Sequence, residues 1–342
     1  MSKFPKVTII VLNFNGLEDT AKCLKSLTQT KYSNFEIIVG DNGSDKNEAE
    51  ILSKKFTDKK INFVRFPKNL GFCGGNNTIL KTIKDEYVVL LNNDVIVPPA
   101  WLLPLIKTME ENSSVAVVQP KILWAKNKQY FDYSGACGGF IDIFGYPFTR
   151  GRIFDTIEKD KGQYDSCVDI FWASGAAMMI RRDVLDKVGY FDERFFNYME
   201  EIDLCFRIHQ LGLRVVCQPK SYVYHKVAST ASRNMMLKRY WEHRNNLLLI
   251  LKNYPMRTLI FILPLRILLE YISLLYYLYI RRFDYALALI KSQISLFFIA
   301  PLLLSKRILT NNHNSQRVIS LMYKRSVVLA YFFFKKRKFS SL

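Results

Sequence analysis

Five apolar or aromatic residues, Tyr87-Val88-Val89-Leu90-Leu91, run without a break into two amides and a carboxylate, Asn92-Asn93-Asp94, and Pro98-Pro99 then closes the segment. A strand with no polar face has to be covered on both sides, so this run predicts a buried strand of a parallel sheet flanked by helices. Ligands of such sheets bind beyond the carboxyl ends of the strands. Asn92, Asn93 and Asp94 are therefore expected on a binding edge. Asn and Asp also make ordinary turns, so the neighbouring stretches have to decide between the two.

They repeat the pattern. Val7–Leu12, Phe35–Val39 and Ile61–Phe66 are further strand candidates. Helical spacing is seen over Asp19–Leu27, Glu48–Phe56 and Thr78–Lys84. The first strand runs into Asn13-Phe14-Asn15-Gly16, the second into Gly40-Asp41-Asn42-Gly43-Ser44-Asp45. The third runs into Pro67-Lys68-Asn69-Leu70-Gly71, with Gly74-Gly75 beyond. Strand–helix alternation at this spacing predicts an α/β fold, and right-handed crossovers put the strand ends on one edge. Four polar clusters then converge there. No G-x-G-x-x-G follows the first strand, which argues against a dinucleotide oxidoreductase.

In this order the clusters resemble those of family 2 glycosyltransferases, in particular the rhamnosyltransferase-like branch, whose fold is GT-A. The resemblance extends through Ser174-Gly175-Ala176, Arg181-Arg182, Gly189–Phe196, Tyr198-Met199-Glu200-Glu201-Ile202-Asp203, Arg207 and His225, and covers residues 1 to 250 or so. It implies a mostly parallel sheet flanked by helices. It also implies transfer of a sugar, rhamnose or another hexose, from a nucleotide-sugar donor to a glycan or lipid-linked glycan acceptor.

Site roles follow residue by residue. The resemblance gives Asp41 the donor base, with Asn13 and Asn69 beside the nucleoside and Asn93 and Asp94 on the donor. The alternative for Asp41 is a turn or helix cap. A diphosphate leaving group calls for a divalent cation, Mg2+ or Mn2+, which takes oxygen ligands. Asp94 is the carboxylate for it, and His225 matches a histidine that assists. Where the family has D-x-D this chain has Asn92-Asn93-Asp94, so the first carboxylate is missing.

An acceptor hydroxyl needs a general base. The family's Glu-Asp maps the base onto Glu201, one methylene longer, with Glu200 toward the acceptor. Direct displacement by one base predicts inversion. Asp203 and Arg207, four apart, are expected to pair in support of the site or the diphosphate. The plain alternative for the acids is a solvated helix start. Trp172 could stack on the acceptor beside Gly175, although a core role is the commoner use of such a residue. The stretch from Asp132 to Gly145 reads as a loop and a mobile lid.

Charge separates the C-terminal third from the rest. Residues 235–342 hold 18 Lys and Arg against 3 Asp and Glu, which is 15 of the net +19. Thr258–Ile280 and Ala286–Leu304 are long apolar stretches. Arg266, Glu270, Ser273, Tyr277 and Arg281 form a polar stripe on the first. Helices lying in the cytoplasmic membrane interface are expected, in preference to a spanning hairpin that would carry Arg281-Arg282 across. Lys306-Arg307, Lys324-Arg325 and Lys335-Lys336-Arg337-Lys338 would then meet anionic headgroups. The alternatives are a buried helical subdomain or contacts between copies of the chain. Nucleic acid is not an expected partner, because the basic groups are interleaved with apolar helices. Six cysteines without a C-x-x-C pair argue against a zinc ribbon or dithiol redox site and suit a reducing cytosol, and no signal peptide is expected.

The expected organisation is therefore a GT-A catalytic domain at 1–234, with a donor half at 1–98 and an acceptor half at 99–234, followed by a membrane-association region at 235–342. The rival is a non-catalytic glycan- or nucleotide-binding subunit on the same fold, since fold alone does not confer activity.

Overall fold

The computed structural model describes residues 5–226, 235–309 and 315–342. Strands β1 (Val7–Asn13), β2 (Phe35–Asp41), β3 (Ile61–Arg65) and β4 (Tyr87–Asn92) are all parallel, in the order β3-β2-β1-β4. Helices α1 (Leu17–Leu27), α2 (Glu48–Lys55) and α3 (Gly71–Leu80) connect them. Val7, Ile9 and Val11 of β1 enter one core and Ile10 the other, as do Val89 and Leu91 against Val88 and Leu90 of β4. Both faces being covered is the reason these strands carry no polar alternation.

Helix α3 begins seven residues before the expected Thr78, inside the glycine-rich stretch read as loop. Gly71 enters with φ +70°, and a β-carbon on Gly75 would meet Leu12 at 2.8 Å. Close packing of this helix on β1 outweighs the low helix propensity of glycine.

The second half continues with β5 (Val95–Ile96), α4 (Leu102–Glu111) and β6 (Val115–Trp124). Next come β7 (Gly139–Ile141), β8 (Pro147–Thr149), β9 (Arg152–Ile153) and β10 (Thr156–Ile157), and after them β11 (Val168–Asp169), β12 (Ala177–Arg181), α5 (Arg182–Val188), α6 (Glu200–Gln210) and β13 (Arg214–His225). The large sheet extends from β4 through β12, β6 and β13 to β11, with β12 antiparallel to both neighbours. Strand β5 pairs with the end of β13, setting His225 opposite Val95. That register brings His225 to Asp94.

Strands β7 to β10 form a separate antiparallel sheet. Only Gly139–Ile141 of the stretch expected as a mobile lid belong to it, and the rest of that stretch is turn and loop. Asp132 is fully buried, Gly139 lies against the ring of Trp172, and Asp142 accepts a hydrogen bond from the Val327 amide at 2.9 Å. Gly135, Gly138 and Gly139 allow close packing, since a β-carbon there would meet Ser174, Ile170 and Trp172.

The C-terminal helices are α7 (Met235–Asn253), α8 (Met256–Tyr279), α9 (Phe283–Leu309), α10 (Ser315–Ser320) and α11 (Val327–Phe332). The division expected at 234/235 falls where the described residues are interrupted. By packing, α7 sides with the catalytic body: Leu247 to Leu251 are buried in the same core as β4 and α6. Asp203 accepts from Lys252 Nζ and Asn253 Nδ2, both at 2.9 Å.

The polar stripe of α8 points inward. Arg266 and Glu270 are buried, Arg266 donates to Glu270 Oε1 at 2.8 Å, and Glu270 Oε2 meets His243 Nδ1 of α7 at 2.6 Å. Phe261, Tyr271, Leu275, Phe297 and Phe298 face out, each more than half exposed. Helices α8 and α9 over Phe283–Leu304 are long and apolar enough to cross a membrane. The side chains of Lys306 and Arg307 lie outside the described residues.

Candidate active site

The carboxyl ends of β1, β4 and β13 and the starts of α6 and α7 border one cleft of about 610 Å³. Asp94 and Glu201 both line it. Asp94 occupies the turn between β4 and β5. Its Oδ1 is buried without a hydrogen bond, although His225 Nε2 approaches it at 3.1 Å outside hydrogen-bonding direction. Nδ1 of His225 is 3.1 Å from Oδ2 of Asp132. Burial disfavours charge on the imidazole, yet the Asp132 and Asp94 carboxylates outweigh it and push its pKa up to about 10. Burial likewise opposes charge on Asp94, and His225 overcomes it, holding the carboxyl below its usual range.

This arrangement fits a divalent cation. Two ligands at right angles on such an ion stand roughly 3 Å apart, which the Asp94 and His225 atoms match. A ligating histidine also normally gives its other nitrogen to a carboxylate, which is the place of Asp132. Metal binding would displace the proton on Nε2. Among the described residues no group of three His, Cys, Asp or Glu side chains could hold a metal, so further ligands would have to come from substrate and water. The side chain of Asn92, where a second acid would stand, lies 3.4 Å from His225 Nε2.

Across the cleft, α6 starts under strain. Phe196, Tyr198 and Met199 have φ of 61°, 72° and 71°, a region that non-glycine residues avoid. The bend is held by Asn245 of α7, whose amide donates to the carbonyls of Phe195, Asn197 and Tyr198 at 2.8–2.9 Å. Gly71 makes room for it, since a β-carbon there would sit 2.5 Å from the Phe196 carbonyl oxygen. The bend aims Glu200 and Glu201 into the cleft. Oε2 of each is buried without a hydrogen-bond partner. Burial raises both carboxyls, Glu201 to about 7 and Glu200 well above its usual value, with the neighbouring Glu201 charge adding to the latter.

Several expected contact residues are built into the walls. Asn13 is fully buried: its Nδ2 donates to Glu48 Oε2 at 2.7 Å and its Oδ1 accepts from Thr20 and Asn93. It lines the cleft with its side chain hydrogen-bonded within the fold. Asn93 spends its amide nitrogen on Asn13 and Thr20. Asp41 is fully buried and does not line the cleft; it accepts from the Ser44 and Ala49 amides at 3.1 and 3.3 Å, the capping alternative. Asn69 does line the cleft, with its Oδ1 tied to Gly71 N and Asn42.

Asp203 and Arg207 pair as expected at 3.0 Å, but beneath the site. The guanidinium is spent on Asp203 and on the carbonyls of residues 188–190, so it supports α6 and is unavailable to a diphosphate. Trp172 lies against Gly139 and donates to the Phe140 carbonyl at 2.8 Å, leaving it 6% exposed; it packs more than it presents. Gly175 makes room for Phe72.

The sequence did not single out Asp132, Arg152, Lys238 or Trp241. Asp132 reaches His225 through the Leu123–Phe131 bridge and the pairing of β6 with β13; Arg152 lies beyond the stretch read as a lid, and Lys238 and Trp241 line the cleft from the segment assigned to the membrane.

The model of the family described as Glycosyl transferase family 2 matches residues 8–189, more than half of the chain. The chain belongs to that family. Among curated relatives, this family 2 chain is 28% identical over 241 residues to the O-antigen biosynthesis protein RfbC of Myxococcus xanthus, matching 69% of this chain and 18% of that one. It is 27% identical over 224 residues to the rhamnosyltransferase WbbL of Escherichia coli, with 63% and 82% covered. To the low-salt glycan biosynthesis hexosyltransferase Agl10 of Haloferax volcanii it is 24% identical, with 71% and 74% covered.

Two solved structures share the GT-A fold. The mannosyltransferase PcManGT of Pyrobaculum calidifontis, in complex with GDP-Man and Mn2+, superposes with a TM-score of 0.53 at 14% identity, covering 94% of this chain and 84% of that one. GalNAc-T7 with UDP, GalNAc and Mn2+ gives 0.55 at 15%, covering 66% and 44%.

Proposed function

We propose that this chain is an inverting glycosyltransferase that moves a hexose-type sugar, rhamnose being the leading candidate, from a nucleoside diphosphate to a hydroxyl of a glycan or lipid-linked glycan. The observation that carries this reading is one cleft holding two buried carboxylates from different elements, Asp94 with Oδ1 facing His225 at 3.1 Å and Glu201 with Oε2 free of hydrogen bonds. The names of the relatives WbbL and Agl10 support the reaction class.

Glu201 is the base. A carboxyl raised to about 7 is half deprotonated at neutral pH and still basic enough to take a proton from an attacking alcohol. Glu200, its carboxyl pushed well up by burial and by the neighbouring Glu201 charge, faces the acceptor side. Asp94 and neutral His225 would hold Mg2+ or Mn2+, which neutralises the departing diphosphate when bound. Asp132 fixes the ring so that Nε2 faces that point. Asn69 and Asn42 border the donor side of the cleft.

The membrane belongs to the same reading. The outward apolar faces of α8 and α9 are inverted for a water-soluble helical layer, whose polar stripe would face solvent. They suit a peripheral or monotopic seat on the cytoplasmic face, where a lipid-linked acceptor is found, and the basic C-terminal groups suit anionic headgroups.

The test is a panel of nucleotide sugars with Mn2+ or Mg2+, scored for donor hydrolysis and for transfer. Metal-dependent turnover of one donor that Glu201→Gln abolishes, with donor binding kept, is the expected result. Silence across the whole panel would favour a binding subunit.

A further inference from the structure

Tyr133, directly after Asp132, stands at the cleft with a cation on each of two neighbouring elements. The guanidinium of Arg152 from β9 lies 3.0 Å from its ring centroid, and the ammonium of Lys238 from the first turn of α7 lies 5.5 Å away. All three residues line the cleft. Arg152 donates from Nε to the Phe154 carbonyl at 2.6 Å and from Nη1 to the Tyr133 carbonyl; it has no ion pair among the described residues. The nearest carboxylate oxygen to Lys238 is Glu242 Oε1 at 3.8 Å, and Glu242 bonds Arg239 more closely, at 2.8 Å. Asp132 and Asp155 lie near Arg152 and Glu242 near Lys238, but none is within ion-pair distance of Arg152 among the described residues, so two like charges meeting on one ring still favour an anion between them.

Resting on the function proposed above, we infer that Arg152 and Lys238 form an anion subsite for a phosphate or diphosphate ester at the acceptor end of the cleft. Arginine and lysine are the side chains that recognise phosphoryl oxygens, and Arg152 Nη2 makes no hydrogen bond within the fold among the described residues. The source of the phosphate is set by α7. One residue beyond Lys238, Arg239 stacks on Tyr285 of α9 at 5.1 Å. One helical turn on, His243 bonds Tyr277 of α8 at 3.0 Å. The cationic edge thus adjoins the helices whose apolar faces are open. A ligand with a hydrocarbon tail along α8 and α9 would bring its anionic head to Arg152 and Lys238, and the attached sugar would reach toward Glu200 and Glu201. The donor diphosphate belongs on the Asp94 side.

Binding to the full chain in nanodiscs tests this without any donor being known. The probes are farnesyl diphosphate, farnesol, and a set of uridine, guanosine and thymidine diphosphates with Mn2+, followed by tryptophan fluorescence. Farnesyl diphosphate is expected to lose about tenfold in affinity in Arg152→Gln and in Lys238→Gln, to be retained in Arg152→Lys, and to be indifferent to Mn2+ and to Asp94→Ala. Farnesol should be unaffected throughout. Equal losses for farnesol and its diphosphate would reduce the pair to a packing role and overturn the inference. Losses confined to the nucleoside diphosphates would move the subsite to the donor and also overturn it. The nucleotide-sugar panel reports separately on the catalytic reading.

Discussion

Asp132 and His225, 93 residues apart, meet at 3.1 Å through the ring Nδ1, and the other ring nitrogen faces Asp94. Asp132 therefore governs whether His225 can serve a cation. Asp132→Asn should weaken divalent-metal dependence by about 10- to 100-fold while the chain stays folded. A Mn2+ titration of donor hydrolysis, with circular dichroism as control, measures it. An unchanged half-saturation would remove Asp132 from the site.

Glu201 gives a pH signature. Activity should rise with pH through about 7 as its carboxyl ionises. Stability should move the other way. A carboxyl raised from 4.5 binds a proton in the fold that the unfolded chain has released, so its contribution is complete below about 4.5 and is lost as pH climbs through about 7. Glu201→Gln should abolish transfer and flatten that part of the Tm–pH curve. A curve that keeps its slope would reassign the titration.

Removing Asp203 should be felt as stability. It is fully buried on the first turn of α6 and neutralises both Arg207 and Lys252. Asp203→Ala should cost about 3 kcal/mol, the lower end for breaking a buried pair, because Lys252 keeps Asp192 at 2.8 Å. Urea unfolding in detergent gives the value, and a loss within 0.5 kcal/mol or so would make the cluster ornamental.

Gly71→Ala tests the strained approach to α6. The new methyl would meet backbone at Phe196, and its residue would have to hold φ +70°. Turnover should fall by more than Tm does, because the displaced segment carries the glutamates. An active variant would show that the bend has slack.

On vesicles containing anionic lipid, the double change Phe297→Glu and Phe298→Glu should reduce flotation at least tenfold or so and leave hydrolysis of a soluble donor intact. Both rings are about three-quarters exposed on α9. Equal flotation would exclude this face as the contact.

The central strands and their shared edge were readable because burial on both faces leaves an unbroken apolar run, as at Tyr87–Leu91. Glu201 was read from the family resemblance and Asp94 from its place at a strand end, and both line the one cleft. The asparagines and Asp41 were harder, since the same amide or carboxylate can bind a ligand or saturate a turn. Asp41 accepts from the Ser44 and Ala49 amides and Asn13 bonds Glu48 and Thr20, and only the fold gives those partners. Asp132 and Arg152 depend on pairings across dozens of residues, which local pattern does not encode. The stripe on α8 was visible as a stripe, but its direction was not: helical periodicity separates two faces without saying which one meets protein.

Helix α7 has one flank in the cleft and the other fastened to α8 through His243 and Glu270. Severing the chain ahead of it would take away the Asn245 amide that clamps the glutamate bend, along with a layer of the main core. A truncation that ends before α7 is therefore expected to lose the glutamate bend along with part of the core, so the two parts of the chain share one fold.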